Sequence, residues 1–139
     1  MTNTKGETIT SQALKGKITV IDFWEESCHP CVALFGFFNN LHSKYKDNPA
    51  LQLFSFSGDS KEKAKNVIEN HNLLFDVSCI EKNEINRLNY GTGYPAVLIV
   101  DADGIVVNFI THGFQEKGET AMEIENQINE LLQNLSSTN

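Results

Sequence analysis

Cys28 and Cys31 stand in the run Trp24-Glu25-Glu26-Ser27-Cys28-His29-Pro30-Cys31. Thiols at i and i+3 of a helix lie about one turn apart. That separation falls within the roughly 4.4–6.8 Å between Cα atoms that a disulfide requires. A dithiol so spaced closes and reopens with little backbone movement. An apolar run over 18–24 leads into it and a helical pattern follows. This order sets Cys28 at a helix N-terminus, facing unpaired backbone N–H groups and the positive end of the helix dipole. Both favour thiolate, the attacking species, over thiol. Cys31, one turn further in, is expected to be more buried and to act second. Pro30 suits the first helical turn, where its missing N–H costs nothing. A protonated His29 favours the thiolate further, whereas Glu25 and Glu26 oppose it, so the net sign stays open at this level.

The elements that must position this pair follow from periodicity and turn chemistry. The 18–24 run is apolar on both faces except at Asp22, which predicts a central, buried strand. A helix is expected from Cys28 to about Lys46, with Leu34, Phe37, Phe38, Leu41 and Tyr45 recurring at helical spacing. Within it Gly36 lowers helix propensity by ~1 kcal/mol relative to alanine and is a place for a bend. Leu51 to Phe56 is a second core strand. The loop Ser57-Gly58-Asp59-Ser60 offers N-cap residues to a helix over 61–71 that sets Ala64, Val67, Ile68 and His71 on one face. A short strand from Phe75 to Ile80 follows. Next come a short helix from Glu81 to Tyr90 capped by Asn83, and the loop Gly91-Thr92-Gly93-Tyr94-Pro95. Ala96 to Val100 and Ile105 to Thr111 flank a hairpin turn at Asp101-Ala102-Asp103-Gly104. A last helix runs from about Thr120 to Leu135, with a capping box at Thr120 and Glu123 and Ile124, Ile128, Leu131, Leu132 and Leu135 inward. Residues 8–14 read as a short strand and one helical turn. The order β-α-β-α-β-α-β-β-α implies an α/β fold, a mixed central sheet with helices on both faces.

Composition narrows the function. The chain has 139 residues, 40% hydrophobic and 21% charged, as expected of one globular domain with a core over about 8–135. Its net charge of −7 argues against general binding of nucleic acid or anionic membranes. No apolar run approaches the ~20 residues that span a bilayer, and 1–6 lack the apolar core of a signal peptide. Three cysteines are too few for a disulfide-stapled scaffold.

VIDFWEESCHPC resembles the active-site strand and helix start of thioredoxin. LKGKITVIDFW, a strand-helix insertion at 51–80, GYPAVLIVDADGIVV and the single closing helix resemble more narrowly the TlpA/ResA branch of thioredoxin-like thiol-disulfide oxidoreductases. The resemblance covers about 8–135 and implies a thioredoxin-like fold. It implies that Cys28 attacks and Cys31 resolves, and that Asp22 is the buried carboxylate that moves the resolving thiol's proton. Trp24, His29 and Pro30 support the dithiol. Pro95 matches a cis-proline lying against it, with the backbone of Tyr94 pairing a substrate strand. Asp59 falls where the branch has an acidic residue near the dithiol, though an N-cap role suits it better. Departures from the family are Glu26-Ser27 before the first cysteine, Gly36 in place of a kinking proline, a bulky Tyr94, and Ala96 for a common threonine.

No bound cofactor is implied, since the cysteines carry the electrons. The partners expected are a protein disulfide and an upstream thiol reductant, and the chain is expected to be a monomer. Related dithiols span about −270 to −120 mV; Pro30 and Asp22 favour the reductant end, His29 the oxidant end. The resemblance also implies an extracytoplasmic location, with an export or anchor segment outside this chain, although the residues themselves leave the cytoplasm open. The alternatives are a binding module that captures copper at the dithiol, and an adaptor with a vestigial dithiol. A structural zinc site wants four ligands, which one CxxC does not supply. The PxxxT/S-xx-C pattern of a peroxiredoxin is absent. Cys79 reads as an ordinary half-buried cysteine. His42, His71 and His112 read as surface or half-buried with no evident partner, and Phe35, Phe37 and Phe38 read mainly as core.

Overall fold

The computed structural model describes residues 11–111 and 119–137. After a 3-10 turn at Ser11–Leu14 the elements are β1 (Ile18–Trp24), α1 (His29–Tyr45), β2 (Leu51–Ser57), α2 (Lys61–Asn70) and β3 (Val77–Cys79). They continue with α3 (Lys82–Leu88), β4 (Ala96–Val100), β5 (Val106–Ile110) and α4 (Glu119–Ser137). The strands form one sheet in the order β3-β2-β1-β4-β5. β1 pairs in parallel with β2 and antiparallel with β4, so the sheet is mixed. All seven residues of β1 are buried. A central strand with neighbours on both edges and helices on both faces leaves no side wet, which is why its sequence is apolar on both faces apart from Thr19 and Asp22.

The pleat sends alternate β1 residues to opposite layers. Ile18, Val20 and Trp24 enter one core with Leu34, Phe35 and Phe38 of α1, Ala64 and Val67 of α2, and Ile124 and Ile128 of α4. Ile21 and Phe23 enter a second core with Phe56, Leu98 and Ile85 of α3. Asp22 shares parity with Val20 and Trp24, so its carboxyl lies on the face that α1 covers. The β4–β5 hairpin is closed by Asp101, whose Oδ1 accepts from the backbone N–H groups of Asp103 and Ile105. Gly104 supplies the positive φ of 83° that this turn needs.

Several local expectations shift. Asn83 is not the cap of α3: the N-cap is Glu81, with extended backbone and no side-chain cap bond, and Asn83 is already inside the first turn. Nor is Asp59 the cap of α2, because Ser60 takes that position and accepts from the Lys63 N–H. His71 is the exposed C-cap of α2, and its ring packs against that of Phe35. On α1, Phe35 is buried and Phe37 only half-buried, because the helix is covered by α2 as well as by the sheet. β3 is trimmed to three residues. Residues 8–10, His112 and the Thr120 side chain of the capping box lie outside the described residues.

Candidate active site

The end of β1 delivers the chain into a turn in which the Cys28 N–H donates to the Glu25 carbonyl at 3.0 Å. Cys28 then caps α1: its backbone is extended, and its Sγ accepts from the Cys31 N–H at 3.2 Å. Pro30 occupies the first helical turn. Cys28 and Cys31 are joined as a disulfide with Cα atoms 5.3 Å apart. The two sulfurs differ in access. Cys28 is half-buried at the surface, whereas Cys31 is 1% exposed and its Sγ lies 3.9 Å from the Phe23 carbonyl oxygen of β1. An accessible sulfur at a helix N-terminus is suited to attack, and a covered one behind it to resolution.

Beneath the helix, Asp22 is 1% exposed. Neither of its carboxylate oxygens has a hydrogen-bond partner among the described residues. Burial therefore raises its pKa well above the ordinary carboxylate value. Trp24 is fully buried, donates from Nε1 to Ser55 Oγ at 2.7 Å, and meets the Phe35 ring edge-on. Trp24 thus ties β1 to β2 immediately before the cysteine turn.

Released from capping, Asp59 reaches across the site. Its Oδ2 accepts from the Glu26 N–H at 2.7 Å and from Ser57 Oγ at 3.2 Å. The β2–α2 loop therefore grips the turn that presents Cys28. Gly58 adds a second grip, its N–H donating to the Trp24 carbonyl. A Cβ on Gly58 would collide with the Tyr94 hydroxyl, so the glycine leaves the space in which that phenol is seated. Burial, with the charges of Glu25 and Asp59, raises the Tyr94 pKa. The Tyr94–Pro95 peptide bond is cis and Pro95 is buried. The register pairs Phe23 with Ala96, which carries Pro95 to the level of Trp24, the dithiol end of the sheet.

The structure thus gathers Cys28, Cys31, Asp22, Trp24, Pro30, Asp59, Tyr94 and Pro95 at one end of the sheet. His29 is exposed and makes no hydrogen bond or ion pair among the described residues. Cys79 ends β3 opposite Ser57, half-buried. Burial and the Asp59 charge push its thiol pKa up, against a smaller opposite effect of Lys61, so it is held as thiol rather than thiolate. Sequence reasoning missed Ser55, Gly58 as the seat of Tyr94, and Asn89. The last is fully buried and bonded to the loop before Tyr94. Its neighbours Gly91 and Gly93 are a turn signal that an asparagine side chain often completes.

Against known proteins, the AhpC/TSA family matches residues 1–109, and the chain belongs to that family. A thiol-disulfide oxidoreductase ResA from Bacillus thuringiensis (strain Al Hakam) is 32% identical over 112 residues, 79% of this chain and 64% of that protein. The chain thus spans under two thirds of that relative's length. A crystal structure of a protein assigned as thiol:disulfide interchange protein DsbE from Chlorobium tepidum superimposes with a TM-score of 0.82 at 24% identity, covering 95% of this chain and 91% of that one. A secreted Mycobacterium tuberculosis disulfide oxidoreductase superimposes with a TM-score of 0.75 at 20% identity, over 94% and 93% of the two chains. The fold is thioredoxin-like, as the sequence resemblance implied, and the 51–80 stretch holds β2, α2 and β3.

Proposed function

We propose that this protein is a thiol-disulfide oxidoreductase that reduces protein disulfides through Cys28 and Cys31. The observation that carries the reading is the asymmetric disulfide at the start of α1, with Cys28 reachable as the N-cap and Cys31 covered behind it. The likeness to ResA oxidoreductases supports it. In the reduced enzyme, Cys28 thiolate attacks one sulfur of the substrate disulfide. An S–S bond forms to Cys28, the substrate's own S–S bond breaks, and the departing thiolate takes a proton from water. Asp22 accepts the proton of Cys31, directly or through water, and the Cys31 thiolate attacks Cys28. The second substrate thiolate leaves. The substrate has gained two electrons and the enzyme holds the Cys28–Cys31 disulfide, which an upstream thiol reductant reopens. Pro95 and the Tyr94 backbone receive an extended substrate segment beside the dithiol. His29 tunes the Cys28 thiolate, and no bound cofactor is needed.

We further propose that the chain acts as one monomeric domain in an extracytoplasmic compartment, as the family resemblance and the secreted structural relative suggest. Labelling Cys28 in intact cells with a membrane-impermeant thiol reagent tests this, and labelling only after lysis rejects it. The copper-capture alternative is told apart by experiment: stoichiometric, tight Cu(I) binding with negligible disulfide exchange favours it over the oxidoreductase reading.

The decisive experiment is a redox titration with alkylation and mass spectrometry at each poise. The expected result is a reversible two-electron couple confined to Cys28 and Cys31, with a midpoint near the thioredoxin end, about −270 mV. A midpoint near the oxidant end reverses the direction of electron flow, and failure to form the disulfide at any poise rejects the reading. Cys28→Ser is expected to abolish exchange, and Cys31→Ser to accumulate a mixed disulfide on Cys28.

A further inference from the structure

We infer that Asn89 is a positioning residue for the substrate-receiving arm, holding the 91–93 loop so that Tyr94 and Pro95 are presented to an extended peptide. This rests on the oxidoreductase reading above and extends it to how a protein substrate is held.

Asn89 ends α3 as its C-cap, its own N–H donating to the Ile85 carbonyl at 2.8 Å. Its exposure is 0%, unusual for an asparagine, and both ends of its amide are used. Nδ2 donates to the Gly93 carbonyl at 3.0 Å, and Oδ1 accepts from the Gly91 N–H at 3.2 Å. Its backbone carbonyl accepts from Thr92 Oγ1 at 2.8 Å and from the Thr92 N–H at 3.3 Å. One residue therefore bonds to all three loop residues that precede Tyr94.

The loop needs such a support. Tyr90, Gly91 and Gly93 all have positive φ, at 59°, 70° and 79°. Two of the three are glycines, the residue with the greatest freedom to leave such a conformation. The Tyr90 ring is 74% exposed and lies edge-to-face with Phe109 of β5, and the 91–93 segment between it and Tyr94 carries no apolar side chain of its own to hold it in place. Beyond the loop, β4 begins only at Ala96. Tyr94 and Pro95 are thus bracketed by the sheet on one side and by the Asn89 bonds on the other. Main-chain pairing with an incoming strand depends on the placement of that backbone to within a fraction of an ångström. A small disulfide makes no such pairing and needs only the two sulfurs.

The test compares two oxidants of the reduced enzyme: a disulfide-containing protein (insulin) and the small disulfide hydroxyethyl disulfide. Asn89→Ala is expected to lower kcat/KM for insulin by roughly tenfold, mainly through KM, the size of effect that losing a buried hydrogen-bonding partner gives. Its rate with hydroxyethyl disulfide and its Cys28–Cys31 midpoint potential are expected to match wild type. Thr92→Val, an exposed change that removes one bond of the same network, is expected to give a smaller loss of the same selective kind and keeps the test valid if Asn89→Ala does not fold. Equal losses on both oxidants, a shifted midpoint, or a Thr92→Val variant without insulin selectivity overturn the role of Asn89. Wild-type protein inert towards both oxidants overturns instead the oxidoreductase reading beneath it.

Discussion

Asp22 is a carboxyl group on the central strand with no partner for either oxygen among the described residues. Burial raises its pKa well above 3.8, so folding favours the protonated form. The stability from that preference is complete below pH 3.8 and is lost as the pH rises through the raised folded value. Asn has the same shape and is neutral at every pH. Asp22→Asn is therefore expected to be more stable than wild type at pH 7, with the margin closing as the pH approaches 3.8. Denaturant midpoints across a pH series measure this, and a margin that does not change with pH contradicts it. The same variant is expected to slow resolution of the mixed disulfide by about 10²-fold, the scale of a lost general base. Quenched-flow trapping of the Cys28 adduct reads that step. On the proposed mechanism, the stability this buried acid costs is offset by its use as the proton acceptor for Cys31.

At the scale of elements, Gly36 is the clearest case of stability left unused. It lies on the exposed side of α1, and a Cβ there meets nothing within 4 Å. Gly36→Ala is expected to stabilise the protein by ~1 kcal/mol, raising Tm by about 3 °C without altering disulfide exchange. Calorimetry beside an exchange assay checks both parts. The element pattern itself was legible: strands 18–24 and 51–56, the dithiol helix and the closing hairpin follow from local periodicity and turn residues. What was not legible depends on pairs far apart in the chain. Asp59 and Ser60 are equally good caps on paper. The backbone gives the cap to Ser60, and this frees Asp59 to bond a residue 33 positions away. Asn89 looks like an ordinary helix end until its burial is known. Asn83 is a good cap by residue type, but the extended backbone ends at Glu81 and leaves Asn83 inside the first turn of α3, which residue type alone does not reveal.

Taken whole, the molecule presents an acidic chain, net charge −7, whose dithiol is flanked by Glu25, Glu26 and Asp59. Long-range attraction therefore favours basic substrates, and salt screens it, with a Debye length of about 10 Å at 0.1 M. Raising salt from about 20 to 500 mM is expected to lower kcat/KM for a basic disulfide protein and to raise it for an acidic one. A shared salt response would show that the field of the molecule does not guide encounter. The family and the placement of the dithiol were legible at this scale because CxPC, the preceding Phe23-Trp24 and the later Gly93-Tyr94-Pro95 are specific in combination.

One sulfur in this protein serves two masters. Cys28 Sγ is the proposed nucleophile, and it is also the acceptor that ties down the Cys31 N–H at the start of α1. Its quality as an acceptor changes with its electrons: a thiolate accepts a charge-assisted bond roughly twice as strong as a neutral one. The first helical turn is therefore a built-in reporter of oxidation state. Hydrogen exchange at the Cys31 amide is expected to slow when the disulfide is reduced, and to quicken when Cys28 is tied up in an adduct. NMR of that single amide would follow turnover without any added probe.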